Sequence, residues 1–468
     1  MHTAIVWYRR DLRLSDHQAL KAALEGAETV VPVYIHDPIA EGEWAPGGAG
    51  RWWLHRSLGE LETTLRERGS RLVIRRGDAL AELQSVARET GAGVVHWNRL
   101  YEPSHMAADT RLKAALREQG LAVESHAGTL LHEPWQLKTG GGEPYRVFTP
   151  FWRNFQKTVL PTDPFPAPRR LKPPRRWPTS LRLDELAFLP KNAWADGFTR
   201  WWSPGEQGAS RQLRSFLRRA LAEYSEGRNY PARTRVSYLS PHLHFGEISP
   251  RQVWYAVRTA AGGAMAAGAD AYLREIGWRE FAHHVLFHFP HTLTEPLNPR
   301  FAFFPWRRDY STLLEAWQRG RTGYPIVDAG MRELWATGWM HNRVRMLVAS
   351  FLVKNLRIPW QEGTRWFWDT LVDADLANNS MGWQWSAGCG ADAAPYFRIF
   401  NPVKQSELFD PKGEYLRRWL PELKVLSDID IHAPWQAVGK PRYPRPVVDY
   451  STSRAEALAA YARLKGAA

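Results

Sequence analysis

Between residues 371 and 398 the chain reads LVDADLANNSMGWQWSAGCGADAAPYFR; Asp373, Asp375, Asn378 and Asn379 fall within seven residues there, and Trp383 and Trp385 follow. Carboxylates and amides so close together can hold a metal, ribose hydroxyls, the N–H groups of a heterocycle, or an arginine. No His-x-x-x-His and no third acid at ligand spacing accompanies them, which weighs against a metal. Arg279 and Arg345 are available as counter-ions.

Three further stretches carry polar chemistry. In AYLREIGWREF, Tyr272, Glu275, Trp278 and Arg279 fall at i, i+3, i+6 and i+7 and share one face of a helix. A buried Glu beside Trp and Arg is either a structural ion pair or a group set to act on a ligand. In TGWMHNRVRM, Trp339, Asn342, Arg345 and Met346 follow the same spacing, as a binding face or as a core face with two satisfied polar residues. In RVSYLSPHLHFGEISPRQ, Ser237 and Ser240 flank a turn that leads toward a helix near Pro250. Hydroxyls and free amides in such a turn can hold phosphate, although turn serines are often only caps.

Residues 3–126 must position part of this chemistry. Short apolar runs at 4–8, 29–35, 71–74, 93–97 and 121–124 alternate with amphipathic segments, which predicts a parallel sheet with helices on both faces. The turn after the first run, RRDLRLSD, contains no G-x-G-x-x-G, so the usual dinucleotide cradle is absent. Trp52 and Trp53 follow the loop EWAPGGAGR and Glu102 follows the fourth run; the two rings either stack on a flat ligand that Glu102 could bond, or pack in the core. Residues 161–178 hold seven prolines and five Lys or Arg and read as an extended connector. From about Gly205 the pattern is helical throughout. The expected division is an α/β domain at 1–130, a connector at 131–204 and an all-helical domain at 205–468.

With 62 Lys and Arg against 48 Asp and Glu, the net charge of +14 would draw in a polyanion such as nucleic acid. Cys389 is the only cysteine, which excludes an internal disulfide and a cysteine-based metal cluster. No run approaches the roughly 18 apolar residues of a membrane span, and the N-terminus lacks a cleavage signature, so a cytoplasmic protein is expected. The 24 tryptophans are an excess suited to stacking as well as to cores.

Together, WYRRDLRLSD, SYLSPHLHFGEISPRQ, WREF, TGYPIVDAGMRELWATGWMHNRVRM and DADLANNSMGWQW resemble the photolyase and cryptochrome family, from residue 1 to beyond WLPEL at 419–423. The resemblance implies FAD held in a U shape by the helical domain, with no need of G-x-G-x-x-G. Positions matching the family's flavin site are Tyr224, the turn Val236, Ser237, Tyr238, Leu239 and Ser240, then Tyr272, Arg279, Asn342, Arg345, Asp373, Ala374, Asp375 and Asn379. Val236 stands where the family commonly has Thr, so one hydroxyl is lost. Asn379 matches the residue facing flavin N5, where plant cryptochromes have Asp and animal ones Cys, and it favours a repair enzyme.

The same resemblance implies a substrate and a path for electrons. Glu275, Trp278, Arg279, Asn342, Met346 and Trp385 match the set that receives a cyclobutane pyrimidine dimer, whereas (6-4) enzymes carry histidines at the positions of Asn342 and Met346. Photolyases flip the lesion out of the duplex, and Trp278 and Trp385 would stack on it. Glu275, desolvated among aromatics, is expected to have a raised pKa and to donate a hydrogen bond to a pyrimidine carbonyl. Trp383, Trp360 and Trp306 match the chain that reduces oxidised flavin from the surface, and Arg228, Arg343 and Gln405 match DNA contacts. The implied reaction is light-driven repair of dimers in UV-damaged DNA by electron transfer from reduced FAD. A blue-light receptor without repair activity, or a (6-4) photolyase, is the alternative; with the last helical pattern close to residue 468, no long signalling tail is expected. The antenna is expected to be 5,10-methenyltetrahydrofolate, alternatively 8-hydroxy-5-deazaflavin, and the protein a monomer.

Overall fold

The computed structural model describes residues 2–190, 193–263, 266–393, 397–438 and 442–466, so residues 394–396 of the polar stretch lie outside the described residues. Five parallel strands form one sheet in the order β3-β2-β1-β4-β5: β1 Thr3–Tyr8, β2 Thr29–His36, β3 Val73–Arg76, β4 Ala92–Asn98 and β5 Ala122–His126. Every residue of β1 is buried, as expected of a strand with helices over both faces. Ala4, Val6 and Tyr8 pack into one layer; Ile5 and Trp7 pack into the other. The expected third strand lies two residues too early, because the amide of Leu72 donates to the Glu62 carboxylate instead of entering the sheet.

Strand order reverses between β1 and β4, and the crevice beyond their carboxyl ends is where α/β sheets receive ligands. Here the helical half closes that crevice. Arg10, just after β1, pairs with Glu102, just after β4, and His244, Arg279, His283 and Asp375 come to the same cleft from the helices.

The proline-rich stretch forms neither helix nor strand, as expected, but it is not a free connector. It is anchored at the end of helix Gly48–Glu67, and Ser180 and Leu181 just after it bond to β3, an edge strand. Leu171 is fully buried and its amide donates to Arg68 O at 2.8 Å; Leu181 N donates to Ile74 O at 2.9 Å, and Ile74 N donates to Ser180 Oγ at 2.9 Å. Covering an edge in this way satisfies backbone groups that would otherwise template pairing with another chain. Ahead of the strap, the expected connector contains a helix, Phe148–Thr158, whose Phe148, Phe151, Trp152 and Phe155 form one apolar stripe.

Buried polar contacts join the two halves. The Glu206 carboxylate accepts from the amides of Leu14 and Ser15 at 2.8 and 2.9 Å, and Glu247 Oε1 accepts from Gly205 N at 2.7 Å and Trp53 Nε1 at 2.9 Å. Asp16 receives Arg251 and the Ser249 hydroxyl. At Gly246 a side chain is impossible, since a Cβ would lie 2.2 Å from Arg10 O and φ is +64°. Among the described residues no helix is long and apolar enough to cross a membrane.

Candidate functional site

The acidic segment 371–375 is pinned by its backbone before its side chains act. Helix Trp360–Thr370 ends, and Val372 N then donates to Gly338 O at 2.8 Å, at the left-handed end of helix Pro325–Thr337. Asp375 caps helix Leu376–Ala387, its Oδ1 accepting from Asn378 N at 2.9 Å and Asn378 Nδ2 at 2.7 Å. Its Oδ2 faces His244 Nδ1 at 3.4 Å and His283 Nε2 at 3.6 Å. Burial alone would raise this carboxyl, but His283, the hydrogen bond from His244 and nearby Arg279 hold it well below the usual range.

Asp373 accepts on Oδ2 from Ser240 Oγ at 2.6 Å and from Arg345 Nη2 at 2.8 Å, while its Oδ1 is buried with no hydrogen-bond partner among the described residues. Ser240 therefore serves the acid rather than capping a helix; the cap near Pro250 is Ser249, in a reciprocal box with Gln252. The turn before it is tight, with Tyr238 at φ +53°. Ser237 Oγ accepts from Leu239 N at 3.3 Å, Leu239 is fully buried and Val236 packs against the apolar layer shared by the two halves. Tyr224 and Tyr272 meet edge to face at 5.1 Å, and burial raises both hydroxyls and keeps them neutral. Ala374, between the two acids, is buried.

The four residues of AYLREIGWREF do not act as one face. Seven residues are about 10 Å along a helix, and the neighbours change over that length. Glu275 pairs with Arg228, whose guanidinium lies 5.4 Å from the Tyr224 ring centre. Trp278 is stacked on Phe148, centroids 3.6 Å apart and planes 9° apart, so only its other face can take a base. Arg279 Nη1 donates to Thr129 O at 3.0 Å, toward the α/β half. Glu275 is thus not enclosed by aromatics as expected: its side chain is 28% exposed and held by a guanidinium.

Trp339 also departs from the helical spacing read for it. The chain turns at Gly338, His341 caps the next helix, and Asn342 opens that helix, exposed, ahead of Arg345 and Met346. Arg345 still meets Trp339, 5.7 Å from its ring, and donates through Nε to Met340 O at 2.7 Å. Arg343 donates to Asn229 Oδ1 and covers the Phe409 ring at 4.4 Å. Gln405, half-buried, lies on helix Pro402–Phe409.

Asn379 donates from Nδ2 to Thr364 O at 3.0 Å, and its Oδ1 is an uncommitted acceptor among the described residues. One turn on, Trp383 is buried against Phe367 at 5.0 Å and Trp317 at 6.1 Å, its Nε1 unpartnered among the described residues. Trp360 is buried at the start of helix Trp360–Thr370, and Trp306 sits against Phe304 at 4.5 Å; among the described residues neither makes a ring contact with Trp383. Trp385 is half-buried. Trp52 and Trp53 are core residues, 2% and 0% exposed, so a ligand does not stack on them. The sequence reading missed His244, His283, Thr364 and Phe148. The two histidines were in view in SPHLHF and after WREF, whereas a backbone acceptor such as Thr364 O has no signature.

The helix that opens at Asn342 also depends on a buried acid. Glu333 accepts from Tyr415 Oη at 2.7 Å and from His341 N at 3.2 Å, and burial pushes its carboxyl up to about 7. A raised folded-state value means that its contribution to stability is complete below about 4.5 and is lost as pH rises through about 7. Glu333→Gln should therefore flatten the pH dependence of unfolding free energy between those values, by up to about 3 kcal/mol. Urea titrations at a series of pH values measure it; parallel curves for the two proteins would refute it.

Two family models match the chain: "DNA photolyase" over residues 4–169 and "FAD binding domain of DNA photolyase" over residues 272–463. A deoxyribodipyrimidine photo-lyase of Agrobacterium fabrum is 50% identical, with 98% of each chain covered. A crystal structure of a bacterial class III photolyase from Agrobacterium tumefaciens superposes with a TM-score of 0.96 at 49% identity, covering 100% of this chain and 98% of that one. The chain belongs to the DNA photolyase family. It is an enzyme by that membership, and its fold is the family's fold: a five-stranded parallel α/β half and a helical FAD-binding half. Cryptochrome-1 of Arabidopsis thaliana is also similar, 40% identical over 99% of this chain and 71% of its own length, so kinship alone does not separate repair from light sensing.

The residues present fit FAD. Asp373 keeps a buried oxygen without a partner among the described residues, which would be costly unless a ligand N–H or O–H meets it. The uncommitted Oδ1 of Asn379, the Arg345 cation and the turn at 237–240 supply the remaining acceptor, charge and amides for a flavin, its ribityl chain and its phosphates.

Proposed function

We propose that this protein repairs cyclobutane pyrimidine dimers in DNA under blue light. The observation that carries the reading is the fixed amide of Asn379: its NH2 is committed to Thr364 O, which leaves an acceptor, and not a carboxylate, available to flavin N5–H. When bound, reduced FAD would supply the light-driven electron chemistry that opens the cyclobutane ring. The chain's own part is to hold and orient. Asn379 would accept from flavin N5–H, and Asp373 and Arg345 would fix the flavin's polar edge. Trp278, backed by Phe148, would stack on a flipped base, a contact of about 1–3 kcal/mol. Arg228 holds the Glu275 carboxylate in place beside it, where that pair would steer a pyrimidine carbonyl.

Irradiating the reduced protein with a dimer-containing oligonucleotide should remove dimers. FAD-loaded protein that removes none, and binds damaged and intact DNA alike, would overturn the proposal in favour of a light receptor. Binding should weaken with salt, and Arg343→Ala should lower the slope of log affinity against log salt by about 1. An unchanged slope would remove Arg343 from the phosphate contacts. The antenna is expected to be methenyltetrahydrofolate, and the absorption spectrum of the purified protein distinguishes it from a deazaflavin.

A further inference from the structure

At the opposite edge of the sheet from the proline strap, β4 and β5 bring together three side chains that play no part in the chemistry above. Parallel pairing sets His96 directly across from Glu124, and the two-residue period of a strand puts His126 on the same face as Glu124. His96 Nδ1 lies 3.1 Å from His126 Nε2, and Glu124 Oε2 lies 3.6 Å from the first and 3.8 Å from the second. We propose that His96, Glu124 and His126 form a binding site for a borderline divalent cation, with Zn2+ as its natural occupant.

The distances carry the argument. Four donors around zinc at about 2.0–2.1 Å are separated by about 3.3 Å, the edge of a tetrahedron. The three observed separations straddle that value. A hydrogen bond between two neutral imidazoles explains the shortest of them alone, but not a carboxylate placed within reach of both rings. Two imidazoles and one carboxylate are the donor set of open zinc sites, in which water takes the fourth position. Glu124 is more than half exposed and His96 is buried, so the fourth position faces solvent. Arg99, the nearest cation on the connecting loop, is paired with Glu133 and bonded to Ser125, which offsets its charge. A cation held here joins the last strand of the sheet to its neighbour.

The test uses untagged, flavin-loaded protein and Co2+ as a spectroscopic probe for Zn2+. One equivalent of Co2+ should give the intense visible bands of a four-coordinate ion, Zn2+ should displace it, and Zn2+ should raise the unfolding midpoint. His126→Gln and Glu124→Gln change the partly exposed ligands, so folding is preserved, and flavin content reports on it. Each should weaken Co2+ binding at least tenfold and remove the Zn2+-dependent rise in midpoint. A wild-type spectrum of weak octahedral type, or variants that bind Co2+ as the wild type does, would overturn the proposal.

Discussion

An Arg345→Leu protein is expected to lose most of its flavin and to unfold at distinctly lower urea. Asp373 is almost fully buried, and its only hydrogen-bond partners among the described residues are the Arg345 guanidinium and the Ser240 hydroxyl, both on the same oxygen. Removing one member of a buried ion pair costs about 3–5 kcal/mol, because the remaining charge has no compensating partner. Lysine would not restore the site. Arg345 uses two nitrogens at once, Nε on Met340 O and Nη2 on Asp373, and a single ammonium cannot span both. Adding Asp373→Asn to the Leu variant should recover part of the stability but not the flavin, since the neutral amide removes the stranded charge without replacing the cradle. Urea unfolding and the flavin-to-protein absorbance ratio measure the two effects. Full flavin content in the Leu variant would refute the role given to this pair.

Asn379→Asp should leave the fold intact and shorten the life of the reduced flavin. The native amide donates to Thr364 O, and an aspartate there sets two acceptors against each other, which strains or reorients the side chain by about 1–3 kcal/mol. A carboxylate beside an electron-rich flavin disfavours the reduced state, and each 59 mV in a one-electron potential is a factor of ten in its population. A shift of at least that size is expected toward the oxidised form. The rate of reoxidation in air after photoreduction, together with the midpoint potential, measures it. Equal reoxidation rates in the variant and the wild type would remove Asn379 from control of the flavin.

How far the molecule could be read in advance depended on the range of the contacts. The strands were legible because apolar runs bounded by turns are local, and β3 was misplaced because the Glu62 side chain, ten residues away, takes the amide of Leu72. Asp375 was legible as an acid opening a helix. That it faces His244 and His283 was not, since those residues meet only when three helices pack. Spacing along a helix placed Trp278 and Glu275 but not what stands beside them, Phe148 from a helix hidden inside the expected connector and Arg228 from a separate turn. Proline content correctly excluded regular structure at 161–178. It was silent on whether the segment hangs free or lies along an edge, because that depends on the unpaired amides of β3.

The polar seam between the halves has a thermodynamic corollary. Glu206, Glu247, Asp16 and Arg13 each bind donors or acceptors across that seam, Glu247 through Trp53 Nε1 at 2.9 Å and Arg13 through Gly246 O at 2.9 Å. Separating the halves would strand all of these groups at once. The α/β half and the helical half are therefore expected to unfold together, in one calorimetric transition instead of two.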